Sequence, residues 1–238
     1  MSKETLTGKI TVVTGGARGI GYAIAECLLR EGATVAFCAT GKESIDAALA
    51  SLSQLGPVMG VTADVSRLED VRRFVGVVVA AYGGIDILVN NAAIRTYQPV
   101  IDLKPEDWDR MLAVNLSGAY YCIHEVLPIL KSRGGGDIVN ISSLSSTSPF
   151  AGGAGYTASK SGLNALAEST FLDYRHDGIR VSEVLPGSTD TEFNGPGGRA
   201  DWKVSPNDVA DAVLMLLQMP RRTTVSRIDL KPSVPPRR

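Results

Sequence analysis

The sequence predicts a single α/β domain: a mostly parallel, doubly wound sheet of about seven strands with helices on both faces. Three observations carry this. Short β-branched runs alternate with helical periodicity along the whole chain. A glycine-rich turn cuts the first run and opens the first helix. The 238 residues show no internal repeat and no linker between domains, which suits one large α/β unit.

Each element follows from its residues. The first strand, 9–14, reads Lys-Ile-Thr-Val-Val-Thr, the kind of run a parallel sheet buries. Gly15 and Gly16 break it. The helix after them carries Ile20, Ala23, Ile24, Cys27 and Leu28 at i, i+3, i+4 spacing and ends near Glu31-Gly32. A strand at 33–39 completes a βαβ unit. The alternation continues with helix 43–54, strand 58–63, helix 67–82 and strand 85–89. Helical patterning then runs from Pro105 to Arg133, with a kink expected at Pro128. Gly134, Gly135 and Gly136 punctuate before a strand at 138–141. The next helix covers 155–176, with Leu163, Leu166, Ala167, Thr170 and Phe171 on its inner side. A strand at 180–185, a helix at 209–219 and a strand at 225–230 close a domain taken as 1–231. Crossovers between parallel strands are right-handed. The proline- and arginine-rich tail, 232–238, is expected to fray.

Composition narrows the function. A net charge of −1 and a pI of 6.1 give no electrostatic footprint for nucleic acid or an anionic membrane. The N-terminus has no apolar run of signal-peptide length, and the most apolar windows, such as 75–81, are too short to span a bilayer. Cys27, Cys38 and Cys122 are far apart and odd in number, so they read as buried thiols in a reducing cytoplasm. With His124 and His176 as the only histidines and no Cys-x-x-Cys, no metal site is expected.

Two stretches carry chemistry. Thr14-Gly15-Gly16-Ala17-Arg18-Gly19-Ile20-Gly21 lies between the first strand and first helix. Gly15, Gly19 and Gly21 leave room for a backbone to approach a pyrophosphate at a helix N-terminus. Their spacing is G-x-x-x-G-x-G, and without its strand–helix context the turn would read as a tight connection. The second strand ends Cys38-Ala39-Thr40-Gly41-Lys42, with no Asp or Glu to bind a ribose 2′-hydroxyl. Arg18, Thr40 and Lys42 would instead meet a 2′-phosphate, which favours NADP(H). The alternative is that both cations are solvated and either cofactor binds. In Tyr156-Thr-Ala-Ser-Lys160, a phenol and an ammonium share one helix face. The ammonium favours the phenolate, which tunes the tyrosine for proton transfer to a carbonyl or alcohol oxygen. The same spacing is common on ordinary amphipathic helices, so the pair gains meaning from the rest of the chain.

Together these stretches, and several between them, resemble the short-chain dehydrogenase/reductase family over residues 8–230. The nearest likeness is to 3-oxoacyl-acyl-carrier-protein reductases and NADP-dependent 3-hydroxy acid dehydrogenases. The resemblance implies a Rossmann-type fold and cofactor contacts from Gly15, Gly16, Ala17, Arg18, Gly19, Ile20, Gly21, Thr40, Asp64, Val65, Asn91, Ala92, Tyr156, Lys160, Pro186, Gly187, Thr189 and Thr191. Asp64-Val65 stands where the family contacts adenine, and Asn90-Asn91-Ala92-Ala93 resembles its Asn-Asn-Ala-Gly. It also implies a catalytic set of Asn115, Ser143, Tyr156 and Lys160. In that set Tyr156 passes the proton, Lys160 binds the nicotinamide ribose, Ser143 holds the substrate oxygen and Asn115 bends its helix and holds a relay water. Ser143 is chosen by its thirteen-residue spacing to Tyr156 from a stretch that also holds Ser142, Ser145, Ser146 and Ser148. Asn115 can equally be a structural amide. The partners implied are a small carbonyl or alcohol substrate and a second or further copies of the chain, as a homodimer or homotetramer.

The chain departs from the pattern twice. Ala93 replaces a glycine, where a methyl would crowd the nicotinamide ribose or shift the turn slightly without abolishing binding. The end, Ser226-Arg227-Ile228-Asp229-Leu230, is closer to the 3-hydroxy acid dehydrogenase type. Between Pro186 and Pro206 the lid is short and glycine-rich at Gly195, Gly197 and Gly198, which predicts a pocket open at one side. Arg95, Tyr97, Phe150 and Phe193 are pocket candidates by loop position. Leu116, Ala119, Ile123 and Val126 fit core or interface. A non-catalytic NADP(H) sensor is the competing reading, and a nucleotide-sugar epimerase would need a longer chain.

Overall fold

The computed structural model describes residues 4–191, 193 and 201–236. Among these, seven strands form one sheet in the order β3-β2-β1-β4-β5-β6-β7, and every neighbouring pair is parallel. The strands are β1 (Ile10–Thr14), β2 (Thr34–Ala39), β3 (Val58–Thr62), β4 (Ile87–Asn90), β5 (Gly136–Ile141), β6 (Ile179–Pro186) and β7 (Arg227–Leu230). The helices are α1 (Gly19–Arg30), α2 (Lys42–Leu52), α3 (Leu68–Tyr82), α4 (Pro105–Leu112), α5 (Gly118–Ser132), α6 (Ala154–Tyr174) and α7 (Pro206–Leu217).

Strand alternation divides the core into two layers. Val13, Phe37, Val89, Ile141 and Val184 face α1, α2 and α7. Ile10, Val12, Leu88, Ile138 and Val181 face α3, α5 and α6. Ile123 and Val126 lie in that second layer, so they belong to the core rather than to an interface. The winding direction reverses between β1 and β4, and a ligand crevice forms outside the carboxyl ends of strands at such a point.

Two boundaries differ from the sequence reading for identifiable reasons. The long helical pattern from Pro105 is interrupted at Ala113–Ser117, a π-helical turn centred on Asn115, and not at Pro128. Pro128 and His124, whose carbonyl loses its partner, both lie on the exposed face of α5, so water can satisfy that oxygen and the helix continues. Helix α7 begins three residues earlier than its apolar pattern, because Ser205 and Asp208 form a capping box around Pro206.

Arg180 ties the β5–β6 side of the sheet to the end of α7. It is 6 % exposed, pairs with Asp137 at 2.6 Å and donates to the carbonyls of Met219 and Leu217 at 2.7 and 3.3 Å. A buried guanidinium is tolerated only with this many partners.

Candidate active site

A cleft of about 1970 Å³ crosses the carboxyl ends of the strands. Small-ligand pockets span ~300–1,000 Å³, so this one has room for a dinucleotide and a second molecule together. Its walls hold Gly15, Ala17, Arg18, Gly19, Ile20, Thr40, Asp64, Val65, Asn91 and Ala92, then Ser143, Tyr156, Lys160, Pro186, Gly187, Thr189 and Thr191. Of the residues expected from sequence, Gly16, Gly21 and Asn115 lie behind the wall rather than on it.

The glycine turn is shaped for close approach. Gly15 and Gly19 have φ of +67° and +57°, a region that side chains rarely adopt. A Cβ on Gly21 would collide with Gly15 O and come within 2.5 Å of Asn91 Nδ2. A Cβ on Gly16 would come within 2.5 Å of Phe37 Cβ, so that glycine serves packing against β2. Asn91 Nδ2 donates to the carbonyls of Thr14 and Gly15 at 2.9 and 3.1 Å, and Thr14 Oγ1 accepts from the backbone of Asn91 and Ala92. Thr191 lies over Gly19. The bare backbone at the N-terminus of α1, held from behind, fits a pyrophosphate.

At the β2 end the cleft meets Arg18, Thr40, Gly41 and Ser44. Among the described residues no carboxylate lines that end. Lys42 turns away and pairs with Asp46 at 2.7 Å, so it does not take the place expected for it. Gly41 caps α2 without a side-chain hydrogen bond, which leaves the first N–H groups of that helix without a side-chain cap. Asp64 is held by Arg110 at 2.8 Å and by Ser66 at 2.7 Å. Burial pushes its carboxyl up, but the Ser66 and Arg110 hydrogen bonds outweigh that and hold it below the usual range.

At the other end stand Tyr156 and Lys160, on successive turns of α6. Tyr156 is 7 % exposed. Burial, with Tyr97 adding to it, pushes its phenol up to about 12, while a hydrogen bond with Ser143 and the charge of Arg95 pull the other way. The net direction is therefore opposite to the lowering by Lys160 that the spacing predicts. Lys160 Nζ donates to Ile141 O at 2.7 Å and lies 6.0 Å from the Tyr156 ring centroid. Its burial brings the ammonium down to about 8.

The serine stretch sorts itself by contacts. Ser143 caps the short 3₁₀ turn Leu144–Ser146 and bonds Tyr156. Ser142 instead bonds Asn164, and Ser146 bonds Ser143 O and Asn164. Ser145 Oγ is buried, its residue lines the cleft, and it has no hydrogen-bond partner among the described residues. Asn115 is 1 % exposed and bonds Ile94 and Ser159. A separate void of about 10 Å³ touches both Asn115 and Lys160, at the lower limit for one water.

Several lining residues were missed in the sequence, Trp202 and Asp190 among them. Ser44 and Arg110 carry no motif. Lys231, Pro232, Pro235 and Pro236 line the cleft, so the tail as far as residue 236, though mostly exposed, contributes to its wall. Strand β7 delivers it there, since Gly187 N bonds Leu230 O at 2.8 Å. Arg95, Tyr97, Phe150 and Phe193 all reach the cleft. Gly195, Gly197 and Gly198 lie outside the described residues. Among the described residues no cluster of metal-ligating side chains occurs, and no helix is long and apolar enough to cross a membrane.

Comparison with known proteins agrees with this geometry. The family described as short chain dehydrogenase matches residues 9–201. An uncharacterized oxidoreductase of Staphylococcus aureus strain MW2 is 32 % identical over 228 residues, covering 95 % of this chain and 98 % of the relative. The alcohol dehydrogenase of the archaeon Thermococcus sibiricus, solved with 5-hydroxy-NADP, superposes with a TM-score of 0.90 at 30 % identity, covering 97 % of this chain and 99 % of that one. A metagenomic short-chain oxidoreductase solved with NADP superposes with a TM-score of 0.86 at 35 % identity, covering 98 % and 100 %.

Proposed function

The chain belongs to the short-chain dehydrogenase family of oxidoreductases, and we propose that it is an NADP(H)-dependent carbonyl reductase or secondary-alcohol dehydrogenase. One observation carries this reading: a glycine turn shaped for a pyrophosphate shares one cleft with the buried Tyr156 and Lys160 and the half-buried Ser143.

Bound nicotinamide would supply or accept the hydride. The glycine turn and the N-terminus of α1 hold the pyrophosphate. Arg18, Thr40, Ser44 and the N-terminal end of α2 receive a 2′-phosphate, and β2 ends without the acid that would repel it. Lys160 holds the nicotinamide ribose from beside Ile141. Ser143 donates to the substrate oxygen and Tyr156 gives it a proton during reduction. The π-turn and carboxamide of Asn115 border the void through which a water reaches Lys160. Two or four copies of the chain form the working unit in this reading.

Support for NADP(H) is the acid-free end of β2, together with the NADP-bound relatives. The test is titration of the protein with NADPH and with NADH, followed by cofactor fluorescence. NADPH binding at least about tenfold tighter, ~1.4 kcal/mol, is expected. Equal or tighter binding of NADH would overturn the preference.

A further inference from the structure

Arg95 is out of place for a residue at an active-site mouth. It follows Ile94, which Asn115 holds in position, so its backbone is fixed. The side chain is half-buried, and no described carboxylate or hydroxyl bonds it. Its guanidinium sits 4.5 Å from the Tyr97 ring centroid and 5.1 Å from that of Phe193. Those same two rings pack against Tyr156, at 5.9 and 6.3 Å between centroids, and Phe150 meets Tyr97 edge-on at 5.1 Å.

Contact with a ring is worth ~0.5–2 kcal/mol to a guanidinium, but it involves only the π face. The five N–H donors lie in the guanidinium plane and gain nothing from a ring. A partly desolvated cation with unused donors is a site for a planar bidentate acceptor, and a carboxylate matches that fork. Of the other cations lining the cleft, Arg110 pairs with Asp64 and Lys160 donates to Ile141 O, while Lys231 is exposed at the end of β7 and lacks the desolvation and ring contacts of Arg95. Arg95 stands at the Tyr156 end of the cleft, whereas Arg18 stands in the glycine turn.

We propose that Arg95 anchors an anionic group of the substrate, and that the preferred substrates are ring-bearing keto acids or the matching hydroxy acids. The carboxylate lies in the plane of the Arg95 fork. The substrate ring lies against Tyr97, Phe150 and Phe193, and its carbonyl reaches Tyr156 and Ser143. This deepens the carbonyl-reductase reading and rests on it for the reaction, though not for the binding.

Matched pairs that differ only in charge test it: 4-acetylbenzoate against its methyl ester, and benzoylformate against its methyl ester. Binding is measured by calorimetry to the NADP-loaded protein, where no reduction occurs, and turnover is measured separately with NADPH. In the wild type at least one acid should bind about tenfold or more tighter than its ester. Arg95→Leu should weaken that acid at least about tenfold more than the ester, with Arg95→Lys between the two. Esters bound as tightly as acids, no binding of either acid, equal losses for acid and ester, or a weakened NADP complex in Arg95→Leu would each overturn the proposal. Charge-selective binding without turnover would uphold the Arg95 anchor and count instead against the reductase reading.

Discussion

The carboxamide of Asn115 grips both backbone polar groups of Ile94: Oδ1 accepts from its N–H and Nδ2 donates to its carbonyl, each at 2.8 Å. A helix side chain thus sets a loop that leads directly into Arg95. Asn115→Ala would strand both groups of the half-buried Ile94, at up to ~1–3 kcal/mol for each polar group left unpaired. The expected outcome is a lower Tm and a fall in kcat/KM for carbonyl reduction. Asn115→Asp keeps the acceptor and loses the donor, so it should fall between. Unchanged Tm and kinetics in Asn115→Ala would show that the clamp does not position the loop.

Thr40 is exposed at the end of β2, beside Arg18 in the cleft wall. Thr40→Asp would put a carboxylate against the 2′-phosphate while leaving a 2′-hydroxyl an acceptor. NADPH affinity should drop about tenfold or more, and NADH affinity should hold or rise. Fluorescence titration of the variant with both cofactors reads this. Equal effects on the two would mean that the 2′ position lies elsewhere.

Glu183 stands on β6 under α6, where burial pushes its carboxyl up to about 7. Glu168 from α6 and Asp229 from β7 push the same way, and Arg227 from β7 opposes them. With its amide nitrogen toward β6, Asn164 donates to Glu183 Oε1 at 2.7 Å and to Lys160 O at 3.0 Å. Because the folded pKa is raised, the native state keeps a proton that the unfolded chain has already lost. Stability from this group is therefore present below the ordinary value of 4.5 and declines as pH rises toward 7. Glu183→Gln should remove that slope, so its Tm advantage over wild type should grow from pH 5 to pH 8. A constant difference in Tm across that range would show that Glu183 titrates normally.

Much of this was legible because it is periodic or punctuated. Strand runs such as Ile10–Thr14 and the turn from Gly15 to Gly21 announce themselves locally. The roles of individual glycines do not. Gly16 and Gly15 are neighbours, yet one packs on Phe37 and the other opens to the cleft, a difference set by strand pairing. The break at Asn115 left no mark in the apolar periodicity, because a π-turn adds one residue without disturbing apolar content; only the resemblance, in which that asparagine bends the helix, pointed to it. The tail was not legible as part of the wall because no motif marks it there; β7, whose Leu230 carbonyl accepts from Gly187 N, carries it to the cleft. Lys42 misled because its partner Asp46, four residues on, competes for the ammonium. Spacing placed Tyr156 and Lys160 on one face, but the depth of burial that governs their proton affinities is a tertiary property.

That burial decides the pH behaviour of Tyr156. Its phenol, pushed up to about 12, carries its proton at neutral pH and is ready to donate to a carbonyl. The Ser143 hydrogen bond and the Arg95 charge work against burial, but they do not reverse it. Reduction should then be nearly independent of pH between 6 and 8, since the acid form dominates throughout. Oxidation needs the phenolate, whose fraction below the pKa grows about tenfold per pH unit. Alcohol oxidation should therefore rise with that slope over the same range, without a plateau. Tyr156→Phe should cost ~10²–10⁴-fold in kcat in both directions, because the ring stays and only the proton is lost. NADPH affinity should stay within about threefold, as the glycine turn is far along the cleft. Retained turnover in Tyr156→Phe would remove this residue from the chemistry. A plateau in oxidation below pH 8 would instead mean that in the reacting complex the phenol titrates far below its buried value. The ammonium of Lys160, 6.0 Å from the ring centroid, is the nearest group able to cause that.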